Sequence, residues 1–595
     1  MAPVAASADC NAATPAGGLE ASQEEEDADA SQEETEATAL PPSVSPEELA
    51  QCAATLQRFA AGGGLRRRAG ARAPFEDPAC RELRRALGPF ARFMQQGMYG
   101  GSGTRYDYEA GRRLRREAEA RQAQQRALDR AHVDKTGMRL GRLQKLADLQ
   151  RQATTKCLED QPLPLVPDGA VDGHAPSALE SGDAAMPSLH RPRACYVCKK
   201  RYYDLHHFYA TLCPECASLN WSKRHSTCDL RGRICLVTGG RVKIGFHCVL
   251  RLLRWGAEKV VVTSRFPRDT ARRVLEQAAS EGADAQDWAA RTDVYGLDFR
   301  DVASVEAFCG FFASRYGRLD VLVNNACQTI RRPASYYKTL VDSELSAQWG
   351  GQEQVAMLQA MGAFEAAFNS QRQALDAPRK VAALEAGPSA APALAAAPPP
   401  ATSAALARVA LVAEDADADG FPEGVVDVNG QQVDLRLRNT WVMKMDEIET
   451  AEVAEVFLIN AMAPFILNSR LQRLMEHTDA AFIVNVSAME GKFYRTKSPY
   501  HPHTNMAKSA LNQLTRTASK DLAAKRIYMC SVDTGWINDE NPLEKAKRYG
   551  EDHHFQCPLD EIDAAARILD PVVVGLNDGK PLYDVFLKDF YETEW

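Results

Sequence analysis

The run Arg233-Ile234-Cys235-Leu236-Val237-Thr238-Gly239-Gly240-Arg241-Val242-Lys243-Ile244-Gly245 constrains this chain more than any other stretch. The apolar residues Ile234 to Val237 lead into a glycine turn, and Phe246 to Trp255 then reads as a helix. A buried parallel strand therefore hands over to a helix N-terminus. Such a turn suits a dinucleotide pyrophosphate: glycines admit the backbone close to the phosphates, and the N–H groups and positive dipole end of the helix favour their charge. A βα turn without a ligand reads the same way, so its meaning rests on the chain that follows.

That chain alternates. Lys259 to Ser264 is a β-branched run, Asp269 to Ser280 is helical, Val294 to Phe299 is a strand, Ser304 to Tyr316 is helical, and Leu319 to Val323 is a strand ending at Asn324-Asn325-Ala326. Strand and helix at this spacing imply βαβ units, hence an α/β fold with a doubly wound parallel sheet. The pattern breaks between about 335 and 440. There a polar helix (Glu344 to Ala377), an Ala/Pro-rich tract (Gly387 to Ser403) and an Asn-Gly hairpin (Val425 to Val433) form an insertion, expected over 333–440 and protruding from the sheet. Alternation resumes with a helix from Asp446 to Glu476, a strand from Ala481 to Val486, a helix from about His503 to Ala523, a strand from Ile527 to Val532 and a last strand near Tyr583 to Phe586.

Upstream, Cys195-x-x-Cys198 and Cys213-x-x-Cys216 are separated by fourteen residues. Two such knuckles can give four thiolates to one tetrahedral Zn²⁺ and leave no coordination position for water, which makes a structural role stronger than a catalytic one. His206 and His207 lie between the knuckles and could replace a ligand. Arg191, Arg193, Lys199, Lys200 and Arg201 surround them, either as a nucleic-acid surface or as compensation for the thiolate charge. With 595 residues, several units are expected: an acidic disordered tail (1–45), a helical Arg-rich region (46–156), a linker (157–190), a zinc module (191–228) and the α/β domain (231–595). In the second of these, Ser45 can cap a first helix, Asp77 to Met94 can form another, and Tyr108 to Thr154 reads as one long solvated helix. No Lys or Arg precedes Arg58, which argues against a transit peptide, and no apolar run of about 20 residues suggests a membrane span. The 15 cysteines are scattered outside the knuckles, which suits a reducing compartment, the cytoplasm or nucleus.

From Arg233 onward the chain resembles the short-chain dehydrogenase/reductase family, nicotinamide-dependent enzymes of Rossmann fold. The matching features are Thr238-Gly239 and Gly245 in the turn, Asp298 after the third strand, Asn324-Asn325-Ala326 after the fourth, Asn460 on the next helix, Ser487 after the fifth strand, and Lys508 on the helix beyond. The resemblance implies that Gly239 and Gly245 shape the pyrophosphate turn and that Asp298 bonds the adenine amine. It also implies that Asn324 and Ala326 face the adenosine ribose through backbone groups and that Lys508 holds the nicotinamide ribose. Ser487 would polarise a substrate carbonyl, and Asn460 would hold a water linking Lys508 to solvent. It further implies a small-molecule substrate and a homo-oligomer.

Two positions depart from the family pattern. Lys243 stands where the family has its middle glycine, and its cation could pair with a phosphate oxygen. Thr504 stands where the family has its catalytic tyrosine, four residues before Lys508, and an aliphatic hydroxyl is a much weaker acid than a phenol. His503 and Tyr500 are the nearby substitutes as proton donor. After the second strand, Thr263-Ser264-Arg265 offers no acid for a ribose 2′-OH and an arginine for a 2′-phosphate, which favours NADP over NAD. Two functions compete: an NAD(P)-dependent oxidoreductase on a carbonyl or alcohol, and a catalytically impaired nucleotide-binding interaction protein that uses the zinc module and basic helix (58–216) to meet protein or RNA.

Overall fold

A computed structural model of the protein describes residues 105–144, 188–346, 350–376, 402–412, 431–494, 496–537 and 556–595, with single positions at 45, 47, 48, 50–52, 54, 55, 85, 415, 420–422, 427 and 540. The acidic tail, most of the expected helix Asp77 to Met94, most of the linker, the Ala/Pro tract up to 401 and most of the Val425 to Val433 hairpin lie outside the described residues. The chain divides into two units, 1–128 and 129–595. In the first, Ser45 exchanges bonds with Glu48, its N–H donating to Glu48 Oε2 (2.9 Å) and its Oγ accepting from Glu48 N (3.3 Å). This reciprocal pair is a capping box.

Helix α1 (Arg105–Asp134) is broken at Lys135 and Thr136 rather than running to Thr154. Thr136 Oγ1 donates to Val133 O (2.7 Å), and the next helical stretch, 137–144, docks on the cysteine module through Gly137 N to His207 O (2.9 Å). In that module β1 (Ser188–Ala194), which takes up the end of the expected linker, pairs antiparallel with β2 (Arg201–Asp204), and α2 (Pro214–Arg224) follows.

The eight-stranded sheet of the α/β domain has the order β10-β9-β8-β7-β6-β3-β4-β5. Its strands are β3 (Ile234–Thr238), β4 (Lys259–Ser264), β5 (Thr292–Gly296), β6 (Val321–Asn324), β7 (Ala481–Ser487), β8 (Ile527–Asp533), β9 (Phe586–Lys588) and β10 (Tyr591–Thr593). All neighbours are parallel except β9 and β10. The helices are α3 (Lys243–Arg254), α4 (Pro267–Glu281), α5 (Val302–Tyr316), α6 (Gln352–Asp376), α7 (Thr450–Phe457), α8 (Ala463–Met475), α9 (Pro502–Ala524) and α10 (Glu561–Asn577). The chain runs outward through β3, β4 and β5, then returns to the other side of β3 with β6. This reversal opens a crevice beyond the carboxyl ends of β3 and β6, the place where doubly wound sheets bind ligands.

One sequence expectation gives way here. The insertion does not simply protrude: α6 packs on β5 and α4, and Met357, Leu358, Met361 and Phe364 join the main core. Those four sit at helical spacing on one face of a stretch that otherwise reads as polar, and the stripe is enough to seat it. The run Thr450–Met475 is also apolar and long enough, by composition, to cross a membrane. Its apolar face packs against α5 and β7, with Val456, Leu467, Leu471 and Met475 fully buried, as in a core helix.

Candidate functional site

A cleft of about 890 Å³ opens at the crevice, walled by the glycine turn, the ends of β4 to β8, the start of α9, the insertion and one residue of the cysteine module. Its volume is in the range of a cofactor plus a small substrate.

The floor is the glycine turn. Gly239 has φ +66, and a Cβ there would sit 2.9 Å from Ala326 Cα; one on Gly245 would sit 2.3 Å from Gly239 O and 2.4 Å from Asn325 Nδ2. Both positions therefore need the missing side chain. Thr238 Oγ1 accepts from Asn325 N and Ala326 N (3.0 Å each), and Asn325 Nδ2 donates to Thr238 O (3.0 Å) and Gly239 O (3.1 Å). Thr238 and Asn325 thus bolt β3 to the end of β6. Lys243 keeps the left-handed backbone of the glycine it replaces, φ 53, and begins α3 on the cleft wall. A side chain in that conformation costs about 1–2 kcal/mol.

Asn324 is not on the wall. Its Nδ2 donates to Asn468 Oδ1 (2.7 Å) and Asn485 Oδ1 (2.8 Å) in a buried amide cluster behind the sheet, because side chains alternate along a strand and its neighbour Asn325 takes the cleft side. Asp298 lines the cleft but is held by Arg300, whose Nε and NH2 donate to it at 3.0 and 2.7 Å. Burial works to raise this carboxyl, and the guanidinium outweighs it, leaving the group below the usual range. Arg265 NH2 donates to Tyr337 OH (2.7 Å) from the insertion, and its guanidinium lies over that ring at 4.5 Å. Its carbonyl accepts from Ser403 Oγ (3.0 Å). Arg241, passed over in the sequence, is buried beside it and held by Asp269 (2.9 Å). Its position two residues past Gly239 was the available signal.

At the other end, Ser487, Thr504 and Lys508 share the wall. Thr504, Lys508 and Asn512 recur every four residues on one face of α9. Lys508 Nζ donates to Val486 O (2.8 Å), and Ser487 Oγ donates to Asn512 Oδ1 (2.6 Å), a partner not visible in the sequence. Thr504 is 3% exposed, and its Oγ1 has no hydrogen-bond partner among the described residues. Asn460 lies in a π-helical turn, Leu458–Met462, and is spent on the loop after β6: its Oδ1 accepts from Gln328 N (2.8 Å) and its Nδ2 donates to Gln328 O (2.9 Å). Neither substitute donor reaches the cleft. His503 faces Glu452 on α7 (3.4 Å), and Tyr500 bridges Lys444 through its backbone.

In the cysteine module the four Sγ atoms of Cys195, Cys198, Cys213 and Cys216 all lie within 4.8 Å of one another, and Cys198 and Cys213 are 3.7 Å apart. Zn–S bonds of about 2.3 Å in a tetrahedron put sulfurs about 3.8 Å apart, so the donor set fits zinc. His206 and His207 instead stack with each other and edge onto Trp221. The module is packed on α10, not tethered. Arg224 NH1 donates to Asp560 (2.7 Å) and Asp563 (2.8 Å), Tyr209 OH donates to Asp563 (2.6 Å), and Cys195, Leu212 and Cys213 share a core with Leu559 and Ala564. Tyr196, between the first two cysteines, reaches the cleft, where its OH accepts from Trp536 N (2.9 Å).

The family model for short chain dehydrogenase matches residues 233–344 and 373–549, and the chain belongs to that family. An uncharacterized protein, R665, of Acanthamoeba polyphaga mimivirus is 26% identical over 391 residues, 64% of this chain and 71% of that one. Carbonyl reductase [NADPH] 1 of Sus scrofa is 44% identical over 94 residues, which span 16% of this chain and only 30% of the reductase. Among solved structures, a short-chain dehydrogenase of Shigella flexneri aligns over 62% of this chain and 95% of its own at 14% identity and a TM-score of 0.36, and one of Streptomyces avermitilis over 57% and 83% at 16% and 0.32.

Proposed function

We propose that the chain is an NADP-dependent oxidoreductase that interconverts a carbonyl and an alcohol, with a structural zinc ion on its four cysteines. The observation that carries this reading is the meeting of Ser487, Thr504 and Lys508 on one wall of a cleft whose floor is a glycine turn with no room for side chains at Gly239 and Gly245. When bound, the nicotinamide supplies the hydride. Ser487 turns its hydroxyl from Asn512 to the substrate oxygen, while Lys508 stays fixed beside it by Val486 O. Arg241 and Arg265, where the chain has no acid after β4, favour a 2′-phosphate. The likeness to a carbonyl reductase named for NADPH supports the same substrate class.

The unpartnered Thr504 hydroxyl favours a second reading, a nucleotide-binding protein that has lost its acid and meets protein or RNA through 58–216. A panel of carbonyl compounds with NADPH, run on wild type, Thr504→Tyr and Lys508→Ala, separates the two. Turnover by wild type that Lys508→Ala removes is the expected result. Cofactor binding without turnover, with activity gained in Thr504→Tyr, establishes the second reading.

A further inference from the structure

A reductase without the family tyrosine needs another acid at the substrate oxygen. The cleft carries the acids Asp298, Asp427, Asp434, Glu490, Asp533 and Glu540. Asp298 is held by Arg300, Asp434 by Arg332 and Arg436, and Asp427 by Gln431 N (2.9 Å). Asp533 lies 3.8 Å from Lys588 and accepts from Gly535 N (2.7 Å), and Glu540 lies at the insertion end of the cleft, its backbone carbonyl accepting from Asn439 Nδ2 (3.0 Å). Glu490 is the acid nearest Ser487 in the chain, three residues on; its carboxyl accepts from its own backbone N–H, and Lys497 and Lys508 act on it from farther away.

Its mounting is rigid. Glu490 lies three residues past Ser487 in the single turn Met489–Gly491. That turn is pressed against α9 where Lys508 leaves it: a Cβ on Gly491 would stand 2.7 Å from the Lys508 carbonyl. Gly491 O accepts from Ser509 Oγ and Asn512 Nδ2 (3.1 Å each), and Lys497 Nζ donates to Met489 O (2.8 Å) and Glu490 O (2.9 Å). The same Asn512 therefore holds both Ser487 and the turn that carries Glu490.

We propose that Glu490 is the proton donor to the substrate oxygen, in the role a tyrosine has elsewhere in the family. This rests on the oxidoreductase reading. In reduction the carbonyl carbon takes the hydride and its two electrons from NADPH; the Glu490 O–H bond breaks, a new O–H bond forms on the substrate oxygen, and the carboxylate left behind takes a proton from water. Oxidation reverses these steps, with Glu490 as base. Burial raises the Glu490 carboxyl above the ordinary range, Asp533 on β8 pushes the same way, and Lys497 and Lys508 oppose them. A carboxyl pushed upward moves in the direction that general acid catalysis asks of it.

The test has a binding arm that needs no substrate. Oxidised nicotinamide carries a positive charge that favours a neighbouring carboxylate, so NADP⁺ binding releases the Glu490 proton and NADPH binding does not. In the full-length protein, the Kd for NADP⁺ relative to that for NADPH is expected to fall about tenfold as pH rises through the Glu490 pKa, one pKa unit of coupling. The ratio cancels titration of the 2′-phosphate, common to both ligands. Glu490→Gln is expected to flatten it while binding NADPH as wild type does; Glu490→Asp should keep the slope. In turnover, Glu490→Gln should lower kcat by about 10²- to 10⁴-fold and remove the fall in reduction rate toward high pH. A ratio with the same pH slope in wild type and Glu490→Gln, or a kcat within about threefold, overturns the proposal. Failure of wild type to bind either nucleotide overturns the oxidoreductase reading with it, whereas binding without turnover but with the Glu490-dependent slope keeps the proton site and overturns only the claim that it acts on a substrate.

Discussion

The insertion and the cysteine module reach one cleft from opposite ends, and different forces hold them. The insertion closes the Arg265 end with Tyr336 and Tyr337, and its grip is spread over the apolar stripe of α6, over Ser403 on the backbone of Arg265, and over Asp415, which takes both guanidinium nitrogens of Arg331 at 2.6 Å. The cysteine module brings Tyr196 to the β8 and β9 end and gathers four sulfurs within 4.8 Å of one another. Beside them it buries Leu189, Tyr202, Leu205 and Leu212 in a core shared with Leu559 and Ala564. A spread grip loses a part at a time; a concentrated one fails as a unit.

The largest expected effect follows from that difference. Cys213→Ser should remove about one zinc per chain by metal analysis and destabilise the domain by several kcal/mol, since metal binding in such knuckles is folding free energy. Because the module shares a core with α10, the loss should appear as a lower midpoint of the whole domain; an unshifted domain midpoint would break the comparison. Phe364→Ala on α6 should cost about 3 kcal/mol in urea unfolding, the usual range for a buried phenylalanine, and a cost near zero would return the insertion to a protruding loop. Arg265→Ala should weaken NADPH by about tenfold and NADH little, with Tyr337→Phe intermediate, as measured by fluorescence titration; equal losses for both nucleotides would take the 2′-phosphate away from this end. The smallest effect is Lys243→Gly, expected to stabilise the fold by about 1 kcal/mol by relieving the left-handed side chain, with any loss of nucleotide affinity reporting the ammonium's own contribution.

The centre of the sheet was legible because β3, β4, β6, β7 and β8 are short apolar runs and the crossovers after β3, β4 and β5 are helices, and the glycine turn was legible because Gly239 and Gly245 have no alternative at those distances. Helix α10 was missed: Pro571 stands inside Glu561–Asn577, and its polar stripe, Asp563, Arg567 and Asp570, is buried against Arg224, Asn220 and Lys223 of the cysteine module instead of marking a surface. It is covered by α3 on the sheet and by the cysteine module outside, which is why almost every side reads as core. Strand β10 was missed because Tyr591–Thr593 is only three residues long and turns back antiparallel. In the site, residue types were legible and directions were not. Asn324 and Asn325 look equivalent in sequence, and the pleat sends them to opposite faces; Asn512 and Glu490 matter only through the fold that brings the turn Met489–Gly491 onto α9.

The lock between Thr238 and Asn325 also sets a dimension. With the ends of β3 and β6 tied by four hydrogen bonds, the floor of the crevice has a fixed width, and a molecule too wide for it gains no room there. What varies the width of the cleft at this end is therefore the opposite wall, where Arg265 and Tyr337 of the insertion pair.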